Sequence, residues 1–367
     1  MQELPSLTDK TALKQQAVQL LQKLISTPSF SKEEQGTAEI LAQWLQVRGV
    51  KVQRHKNNVW AFNKYFDETK PTLLLNSHHD TVKPAKGYTK NPFIPVVEDG
   101  KLFGLGSNDA GGPLVSLISV FLYYYERRDL PYNLVIAASA EEEISGVYGI
   151  ESILPMLGNI DCAIVGEPTK MQMAIAERGL LVVDCTANGI AGHAARDEGE
   201  NALYIAMQDI EWIRNYRFER VSEVLGPNKM TVTVIETENK AHNVVPASCR
   251  FVIDVRVNEL YSFEDILKIL EENLRSDIKP RGIRLRSSII ALEHPLVKAG
   301  LQLGKTYYGS PTTSDKALMP FPALKMSPGD SARSHTADEY IYINEIQAGI
   351  DEFIQLLDTM FSQTKKS

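Results

Sequence analysis

Apolar residues recur with helical spacing in "LKQQAVQLLQKLIS" (13–26) and again in "EQGTAEILAQWLQVRG" (34–49), predicting two amphipathic helices, the second stopped by Gly49. Shorter runs in "KVQRH", "NNVWAFN" and "PTLLLNSHHD" read as strands. A loop rich in Pro, Gly and Lys (81–91) leads to "GKLFGLGSNDAGGPLVSLISVFLYYYERRD", a turn, a glycine-rich loop and a long apolar helix. "YNLVIAASAEEE" and "IDCAIVGEPT" are two further apolar strands. Strands alternating with helices predict an α/β fold, a mostly parallel sheet covered by helices.

The texture changes after Thr169. "GLLVVDCTANG", "ENALYIAMQDIEWIRNY", "KMTVTVIETE", "ASCRFVIDVRV", "SFEDILKILEENLRS" and "GIRLRSSII" read in order as strand, helix, strand, strand, helix, strand. That is the ferredoxin-like split unit. It predicts an α+β domain over 176–288, inserted into a larger domain made of 1–175 and 289–367. A closing helix is expected from Ile343 to about Phe361.

Three apolar strands of the larger domain end in acidic or imidazole groups, and in open α/β sheets ligand sites form at the carboxyl ends of the strands. His78 and Asp80 share a face of their strand by the i, i+2 rule, while His79 points the other way. One reading makes His78 a metal ligand, Asp80 its orienting partner and His79 a bystander. Taken alone, such a motif is more often a pair of exposed histidines at a turn. Asp109 in "GSNDAGG" is by itself an ordinary helix N-cap, Glu167 in "VGEPT" a turn residue, and His335 and Glu339 in "SPGDSARSHTADEYIYI" unremarkable singly. The run Glu141–Glu143 normally marks a solvated face. Here it follows a buried strand, where clustered carboxylates need cations to balance them. Imidazoles and carboxylates without thiolates suit zinc, cobalt or manganese. A carboxylate shared by two ions is the mark of two-metal hydrolases, with an unligated Glu to take a proton from water.

Composition narrows the classes. With 367 residues, 43% hydrophobic and 23% charged, the chain is a globular protein of more than one ordinary domain. A formal charge of −7 argues against a nucleic-acid binder, since phosphate neutralisation wants a basic face. Cys162, Cys185 and Cys249 are too few and too scattered for a disulfide framework. The first thirty residues lack signal-peptide character and no run approaches the roughly 18 apolar residues of a membrane span. A soluble cytoplasmic protein without membrane partners is the expectation.

The motifs "SHHDTV", "GSNDAGG", "EEEISG", "VGEPT", "GHAARDEGENAL", "NVVP", "DVR", "TSD" and "SHTADE" occur in an order, and over nearly the whole chain, that resembles the M20 zinc aminoacylases and peptidases. The resemblance implies two Zn2+ (or Co2+ or Mn2+), one held by His78 and Glu167, the other by Glu143 and His335, with Asp109 bridging and Asp80 orienting His78. It implies Glu142 as the general base that activates water and protonates the leaving amine. His193 would stabilise the oxyanion from a partner subunit, so a homodimer through the lid domain is expected. Arg178, Asn243, Arg256 and Thr313 would bind the carboxylates of a small N-acyl amino acid. Departures lie at Glu141, Ala110, Pro113 and Thr312, outside the metal ligands. The ending "GDSARSHTADEYI" most resembles acetylornithine deacetylases of arginine biosynthesis. That makes an amidohydrolase acting on N-acyl-ornithine the expected enzyme. A di- or tripeptidase, or a succinyl-diaminopimelate desuccinylase, of the same fold is the alternative. From another class comes an inactive binding protein, which predicts a missing ligand or base, and none is missing.

Overall fold

The computed structural model describes residues 6–196 and 198–364. The chain divides into two compact units, one of Met1–Ile175, Ile290–Tyr308 and Ser314–Ser367, the other of Ala176–Ile289 and Gly309–Thr313.

The first unit is built on a mixed sheet whose spatial order is Val52–His55, Asn58–Phe62, Asn133–Ser139, Thr72–His78, Cys162–Val165, Ala323–Lys325 and Met173–Glu177. Its four central strands, from Asn133–Ser139 to Ala323–Lys325, are parallel; Asn58–Phe62 and Met173–Glu177 flank them antiparallel, and Val52–His55 pairs antiparallel with Asn58–Phe62. Every residue of Thr72–His78 and of Asn133–Ser139 is buried. Helices on both faces explain why these strands read as unbroken apolar runs rather than alternating ones. On one face, helix Gly112–Tyr124 packs against the central strands and is flanked by helices Lys10–Ile25 and Ile343–Thr364. All of its residues but Tyr123 are buried. On the other face, Ile150, Ile153 and Leu157 pack with Trp60, Leu74, Val135 and Ala163. Parallel pairing places His78 beside Ser139 and Asn76 beside Val165, so the three strands end at one edge.

The second unit has the expected strand and helix order. Strands Gly179–Asn188, Lys229–Thr237, Ser248–Val257 and Asp277–Pro280 form an antiparallel sheet. Lys229–Thr237 and Asp277–Pro280 are its edges. Helices Ala202–Asn215 and Phe263–Asn273 pack on it around Leu181, Val183, Phe251, Ile253 and Leu270. The last strand differs from the sequence reading. It is "DIKP" at 277–280, not "GIRLRSSII", of which only Ser288–Ile289 is extended. In the predicted segment the alternating residues are arginines, and Arg286 pairs with Glu264 on the surface, so alternation there reflects ion pairing rather than a buried face. No helix among the described residues is long and apolar enough to cross a membrane.

Candidate metal centre and active site

The twelve functional positions proposed from sequence fall into two groups by unit, seven in the first and five in the second. In the first unit, His78 is 1% exposed at the end of its strand. Its Nδ1 lies 3.0 Å from the carbonyl oxygen of Asp80 and 3.5 Å from Asp80 Oδ1. A carbonyl only accepts, so the ring proton sits on Nδ1 and Nε2 is turned toward carboxylates. Nε2 faces Asp109 Oδ1 at 3.3 Å, Glu167 Oε1 at 3.7 Å and Glu142 Oε2 at 3.9 Å. The other oxygen of Asp109, Oδ2, lies 3.6 Å from His335 Nε2, which is 3.1 Å from Glu143 Oε2. Two triads result, His78–Asp109–Glu167 and Asp109–Glu143–His335, with ligand atoms within 4.8 Å of one another. Asp109 belongs to both and presents one oxygen to each.

Local backbone choices make this possible. Gly106, at φ 72°, turns the chain before Asp109, a conformation that favours glycine. Glu339 then accepts the amides of Gly106, Asn108 and Asp109 at 3.0, 2.8 and 2.9 Å, fixing the loop that carries Asp109. Asn108 bonds the backbone of Asp330, which ties that loop to the segment bearing His335. Asp80 is fully buried and reaches the glutamate turn as well as His78. Its carboxylate accepts from Ser31 Oγ at 2.6 Å and from the amides of Glu142 and Glu143 at 3.0 and 3.2 Å. His79 is no surface bystander. It is buried, with Nδ1 2.8 Å from Thr37 Oγ1 and Nε2 2.9 Å from the Asn57 carbonyl, and burial lowers its pKa to about 4.

Electrostatics mark a place for cations. Burial pulls the His78 pKa down, but Glu142, Asp109, Asp80 and Glu167 outweigh it and raise it well above the usual value. The hydrogen bond to Glu143 pushes His335 up to about 9. Burial, first, and the neighbouring acids Glu167, Asp315 and Glu143 raise Glu142 well above an ordinary carboxyl. Protons here take the place of positive charge that crowded carboxylates demand. The donor set is two imidazoles and carboxylates with no thiolate, and the three free cysteines are buried elsewhere. It fits two divalent ions of the zinc, cobalt or manganese kind.

In the second unit, His193 sits on an exposed two-residue strand opposite Val244, and the Ala194 amide donates to the Asn243 carbonyl, so His193 and Asn243 are neighbours. Arg178 donates to the carbonyls of Leu225 and Pro227, and its own carbonyl accepts from Thr313 Oγ1. Arg256 forms a two-point pair with Asp254 at 2.8 and 3.0 Å. Both guanidinium groups line one cleft of about 740 Å³.

Sequence reasoning missed roles at Glu339, Asp315 and Glu34. Asp315, 3% exposed, accepts from Ser139 Oγ at 2.5 Å, and burial raises it to about 6. The motifs "SHTADE" and "TSD" contained two of these acids, a signal read only for His335 and Thr313.

A partly buried constellation of this kind on an open α/β sheet is that of a metal-dependent hydrolase. Residues 74–359 match the peptidase family M20/M25/M40, and the chain belongs to that family. Among curated relatives, the succinyl-diaminopimelate desuccinylase of Buchnera aphidicola subsp. Acyrthosiphon pisum is 28% identical over 276 residues, covering 70% of this chain and 72% of its own. That of Wolbachia pipientis wMel is 27% identical over 291 residues, covering 74% and 72%. Among solved structures, the aminopeptidase PepT from Bacillus cereus superposes with a TM-score of 0.76 at 16% identity, covering 95% of this chain and 98% of its own. The Bacillus subtilis YXEP protein, a dinuclear metal binding peptidase, gives 0.73 at 14% identity, covering 96% and 99%. The curated relatives carry the name succinyl-diaminopimelate desuccinylase rather than acetylornithine deacetylase, and the solved structures show the shared fold.

Proposed function

We propose that the chain removes an N-acyl group from an amino acid, with N-succinyl compounds ahead of N-acetyl-ornithine. The observation that carries the reaction is the pair of triads sharing Asp109, with Glu142 beside them and in neither. His78, Asp109 and Glu167 would hold one ion, and Asp109, Glu143 and His335 the other. When bound, two such ions lower the pKa of a shared water and polarise the amide carbonyl. Glu142 takes the proton as water oxygen bonds to the carbonyl carbon, and passes it to nitrogen as the C–N bond breaks. Asp80 fixes the turn that carries Glu142. The names of the relatives at 25–28% identity support the succinyl group.

His193 is proposed to donate to the oxyanion in the active site of a partner subunit. A homodimer through the second unit is supported by its edge strand Lys229–Thr237, which pairs on one side only. There Val234 and Ile235 are 47% and 48% exposed. Arg178, Asn243, Arg256 and Thr313 remain candidates for substrate carboxylates; Arg178 and Arg256 would have to exchange their present partners.

A turnover panel with zinc or cobalt supplied tests the proposal. It contains N-succinyl-diaminopimelate, N-succinyl-ornithine, N-acetyl-ornithine, N-acetyl-citrulline and several dipeptides. Preference for a succinyl compound supports it. Dipeptide cleavage alone replaces it with a peptidase, acetyl-ornithine alone restores the deacetylase, and silence throughout favours a binding protein.

A further inference from the structure

The turn that carries Glu142 has no sheet partner for four successive amides, and all four are taken up by side chains. Ala140 N–H donates to Asn58 Oδ1 at 3.0 Å, Glu141 N–H to Glu34 Oε1 at 3.2 Å, and Glu142 and Glu143 N–H to Asp80 at 3.0 and 3.2 Å. Glu141 itself is left-handed, φ 54°, a conformation that non-glycine residues hold only when surroundings enforce it. Glu34 is fully buried at the start of helix Gln35–Gln46, and its second oxygen, Oε2, has no hydrogen-bond partner among the described residues. Leaving a buried carboxyl oxygen unpaired is costly for a group that only stabilises the fold. The same segment also holds the end of the neighbouring strand: Ser31 bonds Asp80, and Thr37 contacts His79.

We propose that Glu34 is a positioning residue for the reaction: it holds the Glu141 amide so that the turn aims Glu142 at the reacting centre. This rests on Glu142 being the base. A residue that acts by aim alone lowers kcat with little change in KM, because ground-state binding is untouched.

The test uses the full-length, metal-loaded protein with N-succinyl-diaminopimelate, and with N-succinyl-ornithine if that turns over faster. Glu34→Ala and Glu34→Asp, the latter too short to reach the amide, are expected to lower kcat on the order of 10- to 100-fold, with KM within about threefold. Glu34→Gln, which keeps an acceptor oxygen, recovers most of the rate. Independently of activity, hydrogen exchange of a peptide covering 138–146 should rise in Glu34→Asp and stay near wild type in Glu34→Gln. If Glu34→Ala does not fold, Glu34→Asp decides. Unchanged kcat and exchange in Glu34→Asp overturn the proposal, as does an equal loss of rate in Glu34→Gln. Glu142→Gln separates the two claims. If it stays active, the base assignment fails; if it is dead while the Glu34 variants are normal, only the Glu34 proposal fails.

Discussion

Two adjacent histidines with opposite surroundings give the sharpest mutational contrast. His78 faces Asp109, Glu142 and Glu167, whereas His79 is bonded at both nitrogens to protein groups, Thr37 Oγ1 and the Asn57 carbonyl. Truncating His79 removes the partner of the Asn57 carbonyl, at about 1–3 kcal/mol, while Thr37 Oγ1 keeps the Glu34 carbonyl at 3.0 Å. That loss, before the cavity is counted, is a sizeable part of the roughly 5–15 kcal/mol typical of a folded protein. His79→Ala should therefore melt well below wild type, yet its folded fraction should keep its metal, because no candidate ligand has been removed. His78→Ala should lose one ion per chain, with hydrolysis, since one triad loses its only imidazole. The assay is metal content by mass spectrometry after dialysis, alongside a thermal melt at one protein concentration. Equal metal content in the two variants would refute the reasoning, whatever their melting temperatures.

Two further outcomes concern Glu34 and the exposed edge strand. Burial raises the Glu34 carboxyl from its ordinary value to about 7. The native state then binds a proton the unfolded state has released, so stability should fall as pH rises from about 4.5 to 7 and level off above; Glu34→Gln should remove this slope, and a urea titration at pH 5 and 8 that shows the same slope in both proteins counts against it. At the exposed edge strand, Val234→Lys should convert a dimer to a monomer in sedimentation, with the melting curve of the protomer unchanged within about 0.5 kcal/mol, as expected for a surface position; a persistent dimer would place the interface elsewhere.

What the sequence revealed, and what it hid, divides along a physical line. Periodicity and composition are local, so the apolar strands ending in His78, the glutamate run and Glu167 could be read directly, and parallel pairing then brings them to one edge. Strand alternation misled at "GIRLRSSII", because arginines alternating with apolar residues look the same whether they face a sheet's solvent side or pair with a helix acid such as Glu264. The fourth strand, "DIKP", is too short and ends in proline, so it carries almost no pattern. Asp80 stands beside His78, as its spacing suggested, but its two oxygens also serve amides 62 and 63 residues away in sequence, which the spacing did not show. Glu34 and Glu339 work in the same way, through backbone amides 107 and more than 200 residues distant, and no window along the chain registers such bonds. Arg178 and Arg256 were singled out for substrate; the folded unit engages them with carbonyls and with Asp254.

The central claim is that Glu142 moves the proton while other residues hold the metals. Its most direct measurement is Glu142→Gln compared with wild type, both loaded with zinc, for metal content and for hydrolysis of the best panel substrate. The account predicts equal metal content and a rate lower by about 10²–10⁴. Hydrolysis within tenfold of wild type, or loss of an ion together with the rate, would contradict it.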